Sequence, residues 1–147
     1  MSLIELTYMG QTKSLPLEKV KILDFARSAR VWNSDHGLTG AIMYGNDFFI
    51  QILEGGFYDV ERVCRKINRY SPCESVIRLD CRPLKLRSFP FSPSLCISQA
   101  QLINKLPSLE DALKISKLYQ KEQLLYVTRQ FSKYYFNMGK SQTASCV

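Results

Sequence analysis

From Ser2 to Met9, Leu3, Glu5 and Thr7 alternate with Ile4, Leu6 and Tyr8, a period-two pattern that predicts a short strand with an apolar or aromatic even side. Gly10 to Pro16 breaks the pattern. Leu17, Val20, Ile22, Leu23, Phe25, Ala26 and Ala29 then recur at helical spacing, with Lys19, Lys21, Asp24, Arg27 and Arg30 mostly opposite, so an amphipathic helix is expected from Leu17 to Asn33. Leu38 to Tyr44 and Phe48 to Leu53 are apolar runs on either side of Gly45-Asn46, a turn pair suited to a tight antiparallel hairpin. Glu54-Gly55-Gly56 is expected to end the second run. Val60, Val63, Cys64 and Ile67 form one stripe of a second helix, which Ser71-Pro72 stops because proline cannot continue it.

Ser75 to Arg82 alternates weakly and predicts a fourth strand. Phe89 to Ser98 is a possible fifth, confined to a sheet edge by Pro90 and Pro93. Ser108 with Asp111 after Pro107 resembles a helix start, and two helical stretches are expected from Leu109 to about Met138. The order β-α-β-β-α-β is the α+β, ferredoxin-like pattern: an antiparallel sheet with the first and third strands side by side and both helices on one face. Residues 1–98 are expected to form this domain, 99–138 a C-terminal helical pair packed on it, and 139–147 a flexible tail.

With 147 residues and 46% hydrophobic content, the chain is expected to bury one continuous core. No apolar run reaches the roughly 18 residues of a membrane span, and the opening residues lack signal-peptide character, which makes the cytoplasm the expected location. Five cysteines without a C-x-x-C pair read as reduced thiols. One histidine, His36, leaves no zinc cluster to assemble and sits in a turn-like stretch, where a solvated loop role is expected. With no P-loop and no nucleophile paired to a base, the chain is not expected to be an enzyme. The net charge of +7 raises nucleic-acid binding, and Arg129 to Phe136 interleaves basic and aromatic residues. At helical spacing those aromatics more simply form a core face beside a solvated one, so no nucleic-acid partner is expected.

Tyr8 and Gln51 are polar positions inside apolar strands. A buried amide left unpaired costs about 1–3 kcal/mol, so Gln51 needs partners. If the two strands are neighbours, the Tyr8 hydroxyl reaches the Gln51 amide, and the rest of that amide meets a ligand or a backbone group.

Tyr8, Ala29-Arg30-Val31-Trp32-Asn33, Gly37-Leu38-Thr39-Gly40 and Phe49-Ile50-Gln51-Ile52-Leu53-Glu54-Gly55 together resemble the BLUF family of flavin-binding blue-light sensors. Pro83 and Arg87-Ser88-Phe89 resemble the P-x-x-x-R-x-F run after that family's fourth strand. The resemblance implies non-covalent flavin, FAD with FMN also possible, between the two helices. It implies Asn33 at the N3–H and C4 carbonyl edge of the ring, and Gln51 between the flavin N5/O4 edge and Tyr8. Tyr8 and Gln51 would be the photochemical pair, the tyrosine giving an electron and a proton while the glutamine amide rearranges. Signalling would pass to a partner protein or through oligomer state.

Tyr70-Ser71-Pro72-Cys73 stands where the family usually has D-x-R-H, whose residues contact the ribityl chain and the ring's C2 carbonyl. Arg30, Lys66 and Arg69 are candidates to replace those contacts and pair with phosphate, and Phe25 and Trp32 to stack on flavin or adenine. Ser92 and Ser94 stand where the family's fifth strand usually has tryptophan and methionine. The alternative reading is a flavin-free relative acting as a protein-interaction module.

Overall fold

The structure is a computed structural model that describes residues 2–11, 19–45, 48–71, 73, 75–89, 95–107, 126, 129–130 and 133. In chain order they form β1 (Leu3–Gln11), α1 (Lys19–Asp35), β2 (Thr39–Tyr44), β3 (Phe48–Gly56), α2 (Phe57–Tyr70), β4 (Ser75–Leu84), β5 (Leu95–Ser98) and α3 (Gln99–Lys105). The sheet order is β4-β1-β3-β2-β5, antiparallel except for β5, which runs parallel to β2 at the edge. This is the ferredoxin-like arrangement the pattern predicts, with β1 and β3 adjacent at the centre.

The even side of β1 meets α1 and α2. Leu6 and Tyr8, with Ile42, Phe49 and Leu53 from β2 and β3, pack against Ile22, Phe25, Ala26 and Ala29 of α1 and Val60, Val63, Cys64 and Ile67 of α2. Val20, counted with the apolar stripe of α1, is instead 67% exposed, because it lies about 200° around the helix from Ile22. On the other face Met9, Ala41, Met43, Ile50 and Ile52 are equally buried. A strand covered on both faces reads as an apolar run, which is why β3 shows so little alternation.

Two element bounds differ from the sequence expectation, the end of β3 and the start of β5. Glu54-Gly55-Gly56 continues β3 instead of ending it, because β1 supplies partners for all three: Glu5 for Glu54, Ile4 for Gly55 and Leu3 for Gly56. The hairpin closes by Gly45 N donating to Phe48 O at 2.9 Å, and Asn46 lies outside the described residues. The fifth strand begins at Leu95, not Phe89, because Phe89 is tied to β3 instead. The expected helix start at Ser108 lies outside the described residues, and a separate short helix, α3, precedes it. Ser98 Oγ accepts from Gln101 N at 3.2 Å while Gln101 Oε1 accepts from Ser98 N at 2.9 Å, a reciprocal capping box in S-x-x-Q.

The expected helical stretches from Leu109, and Ser92 and Ser94, lie outside the described residues, apart from Tyr126, Arg129, Gln130 and Lys133, which are helical. Arg129 pairs with Asp80 of β4 at 3.3 Å, so one cation of the basic and aromatic run meets a carboxylate. No helix among the described residues is long and apolar enough to cross a membrane.

Candidate functional site

Register brings the two anomalous polar residues together. Tyr8 lies directly opposite Gln51 across the β1–β3 pair, both on the helix side and both essentially fully buried. The Tyr8 hydroxyl donates to Gln51 Oε1. Burial, with a smaller contribution from neighbouring Cys64, pushes the Tyr8 phenol well above its ordinary pKa and keeps that donor protonated. Gln51 Nε2 is buried and has no hydrogen-bond partner among the described residues. Next to Tyr8, β4 bulges: Thr7 pairs with Asp80 and Tyr8 with Arg78, leaving Leu79 unpaired. The bulge turns Arg78 to the helix side, where it pairs with Glu61 of α2 at 2.9 Å.

Asn33 is placed by the end of α1. Leu38 N donates to Asn33 O at 2.7 Å and Gly37 N to Ser34 O at 3.2 Å, a Schellman motif with Gly37 at φ +65°. That conformation is costly for a residue with a Cβ, so Gly37 fixes where the helix stops and where fully buried Asn33 stands. His36 occupies the adjoining turn as expected. It is half-buried rather than solvated, with Nδ1 3.6 Å from Asp59 Oδ1 at the start of α2.

A run of aromatic contacts leads outward from Tyr8. Phe49 meets Tyr8 edge-on at 6.1 Å between centroids, Phe25 meets Phe49 at 5.2 Å, Trp32 meets Phe25 at 6.1 Å, and Tyr70 meets Trp32 at 5.8 Å. The outer members line a cleft of about 640 Å³ between α1 and α2, with Phe25, Trp32 and Lys21 on one side and Lys66 and Tyr70 on the other. Lys66 Nζ stands 5.9 Å from the Trp32 ring centroid. A second cleft of about 710 Å³ shares Lys66 and Tyr70 and adds Arg62, Arg65, Arg69 and His36.

The structure thus joins Tyr8 to Gln51 and gathers Phe25, Trp32 and Lys66 around one cleft and Lys66 with Arg69 around another. Arg30 lines neither cleft; it is half-buried on α1, and its Nε has no partner among the described residues. Tyr70, Arg62 and Arg65 join these clefts without being site candidates from the sequence. The three arginines at 62, 65 and 69 recur at helical spacing on the polar side of α2, which was the available signal.

Residues 3–92 match the family described as sensors of blue-light using FAD, BLUF. This chain belongs to the BLUF family. It is 26% identical over 112 residues to a photoactivated adenylate cyclase subunit beta of Euglena longa, covering 76% of this chain and 13% of that protein. A photoactivated adenylate cyclase subunit alpha of Euglena gracilis is 25% identical over 111 residues, covering 76% of this chain and 11% of that protein. The chain therefore spans only about an eighth of the curated relatives it matches. Among solved structures, the fold matches BlrB, a BLUF protein in its dark state, with a TM-score of 0.71 at 24% identity, covering 89% of this chain and 96% of BlrB. It also matches the photo-activated state of BlsA, with a TM-score of 0.69 at 18% identity, covering 99% and 98%.

The remaining BLUF-like motif residues converge on Glu54, on the sheet face away from the flanking helices. Its Oε1 accepts from Thr39 Oγ1 at 2.9 Å and from Phe89 N at 3.0 Å, and its Oε2 accepts from Ser88 N at 2.8 Å. Arg87 donates to Thr39 Oγ1 at 3.0 Å and to the Glu54 carbonyl at 2.9 Å. The T-G, E-G and R-x-F elements of a BLUF chain therefore meet here as one hydrogen-bonded latch that fastens residues 87–89 to β3. Burial raises the Glu54 pKa, while the Ser88, Phe89 and Thr39 donors pull it back.

The BLUF family binds flavin, and Gln51 supplies the test of whether this chain suits one. An isoalloxazine edge presents a ring nitrogen and carbonyl oxygens that accept hydrogen bonds, whereas Gln51 Nε2 is a buried donor in want of an acceptor. The donor set fits the ligand.

Proposed function

We propose that this chain is a blue-light sensor that holds a flavin non-covalently between α1 and α2, with Tyr8 and Gln51 as its photochemical pair. The observation that carries this reading is the half-satisfied Gln51 amide, held by Tyr8 at its oxygen and, among the described residues, unpartnered at its nitrogen. Bound flavin supplies absorption of blue light and a ring able to take up an electron. With flavin bound, Tyr8 would be the electron donor to it, and the phenol proton would move along the existing hydrogen bond toward Gln51. The Gln51 amide then exchanges its donor and acceptor ends by turning about its terminal torsion, a broad two-fold rotor. The electron and the proton would then both return to Tyr8, regenerating the neutral phenol, whose raised pKa favours the protonated form.

Asn33 holds the N3–H and C4 carbonyl edge, Phe25 lines the entrance, and Trp32, Arg30, Lys66 and Arg69 serve the outer part of the cofactor. FAD is the assigned flavin, with FMN second. The chain acts as a sensor rather than an enzyme, located in the cytoplasm, and passes its signal to a partner protein or into its own oligomeric state. The photoactivated cyclases among its relatives support light-driven output from this kind of domain. β3 offers the route, because it carries Gln51 on one face and the Glu54 latch on the other.

The test is reconstitution with FAD followed by gel filtration, for wild type and Asn33→Ala. Retained flavin in the wild type and reduced occupancy in the variant are expected. No flavin in the wild type would overturn the sensor reading and leave the fold as an interaction module.

A further inference from the structure

α2 carries two stripes on opposite sides. Val60, Val63, Cys64 and Ile67 are buried against the sheet. At about 100° per residue, Tyr58, Arg62, Arg65 and Arg69 fall within an arc of about 60° on the other side of the helix. All four are exposed, Tyr58 by 74%. Phe57 is 49% exposed and meets the Tyr58 ring edge-on at 5.4 Å, which widens the aromatic end of the row. The two carboxylates of α2 are engaged elsewhere: Asp59 with His36 at 3.6 Å and Glu61 with Arg78 of β4 at 2.9 Å. No ion pair joins Arg62, Arg65 or Arg69 to a carboxylate among the described residues. Arginines three and four residues apart on one helix repel each other, so the row carries a repulsion that an external anion relieves. Arginine with aromatic side chains, and neither lysine nor glutamate in the row, is also the composition that protein interfaces favour.

Charge spacing says which anion fits. Arg62 and Arg69 are about 10 Å apart along the helix axis. Over that length a DNA duplex presents about six phosphates, whereas an acidic helix laid alongside presents about three carboxylates, at i, i+3 and i+7. Three arginines match the helix. We propose that the outer face of α2, anchored by Arg62 and Arg65 and ended by Phe57 and Tyr58, docks an acidic helix of a partner protein. This rests on the reading above that the chain signals to a partner, but not on flavin, since Arg62 and Arg65 lie outside the set assigned to the cofactor.

Fluorescence anisotropy of the full chain with a fluorescein-labelled, alanine-based helical peptide carrying glutamates at i, i+3 and i+7 tests the surface. A scrambled peptide of the same composition and a labelled DNA duplex are measured beside it. The striped peptide should bind more tightly than the scrambled one, and less tightly as salt rises. Arg62→Gln/Arg65→Gln should weaken it at least about threefold, the scale of two exposed ion pairs. Arg27→Gln/Lys105→Gln, which removes the same charge from exposed positions of α1 and α3, should leave it unchanged. Tyr58→Ser should weaken it without altering the salt dependence. Equal losses in the two double variants would reduce the binding to net charge and overturn the surface, as would equal binding of the scrambled peptide. Tighter binding of the duplex, lost in Arg62→Gln/Arg65→Gln, would assign the row to nucleic acid and overturn the acidic-helix assignment. Dimerisation of the chain lost in that variant would assign the row to a second copy instead. No binding of either peptide would overturn the surface, and flavin retained by the same preparation would show that the sensor reading survives it.

Discussion

Gln51 faces Tyr8 across the central strand pair, and the phenol holds the amide oxygen while the amide nitrogen stays buried without a partner among the described residues. A satisfied core glutamine would close both ends on protein. This one is closed at one end only, which is what a residue poised between protein and ligand requires.

Tyr8→Phe removes the donor and leaves the Gln51 amide unpartnered at both ends. The flavin-free variant should lose about 1–3 kcal/mol of stability by urea denaturation. Reconstituted, it should retain flavin and give no light-induced spectral change. A normal photocycle would refute the role of Tyr8.

Glu54→Ala frees the buried Phe89 N–H and the neighbouring Ser88 N–H, and should cost about 1–3 kcal/mol in the same assay. Arg87→Ala should cost less, because it leaves the carboxylate's own donors in place.

The pH dependence of the latch has a definite sign. Burial raises the folded-state pKa of Glu54 above an unfolded value of about 4.3, with Glu5 adding repulsion across the strand pair. Glu5 is itself paired with Arg82 at 3.0 Å, and Arg87 faces the Glu54 carbonyl. A group raised in this way contributes stability that is whole below its unfolded pKa and lost as pH rises through its folded pKa. Wild type should therefore lose stability relative to Glu54→Gln as pH rises from about 4. The opposite slope would show that the donors at Thr39, Ser88 and Phe89 outweigh burial.

Gly10 lies under the Phe49 ring, and a Cβ there would overlap it. Gly10→Ala should push Phe49 off its edge contact with Tyr8 and cost about 1–3 kcal/mol, the scale of overpacking a filled core. Unchanged stability together with unchanged Phe49 ring chemical shifts would show that the ring moves aside freely.

Burial pushes the Cys64 thiol up to about 12. At pH 8 it should resist alkylation until the protein unfolds, whereas Cys81, exposed on β4, should react in the native state. Mass spectrometry of timed alkylation distinguishes the two.

The fold is legible because its signals are local: alternation in β1, the stripe on α2 and its stop at Ser71-Pro72. The Tyr8–Gln51 pair was legible because two polar residues in apolar strands need a partner, and strand order supplies it. Glu54 resembles a strand end in the sequence, since a carboxylate beside two glycines looks like a turn; its donors come from residues 39 and 88–89, which only the tertiary fold brings together. The Trp32–Tyr70 contact is also non-local, joining the ends of two helices. Ser98-x-x-Gln101 is different, for its reciprocal capping signal is present in the local sequence itself.

The most direct measurement is the visible absorption spectrum of FAD-loaded protein in the dark, after blue light and after return to darkness. A bound-flavin spectrum that shifts to the red on illumination and recovers in the dark is expected, with Gln51→Ala showing no shift, because rearrangement of the Gln51 amide is its cause. Bound flavin whose spectrum is unmoved by light in the wild type, or a full shift in Gln51→Ala, would contradict the assignment of Tyr8 and Gln51 as the light-sensing pair.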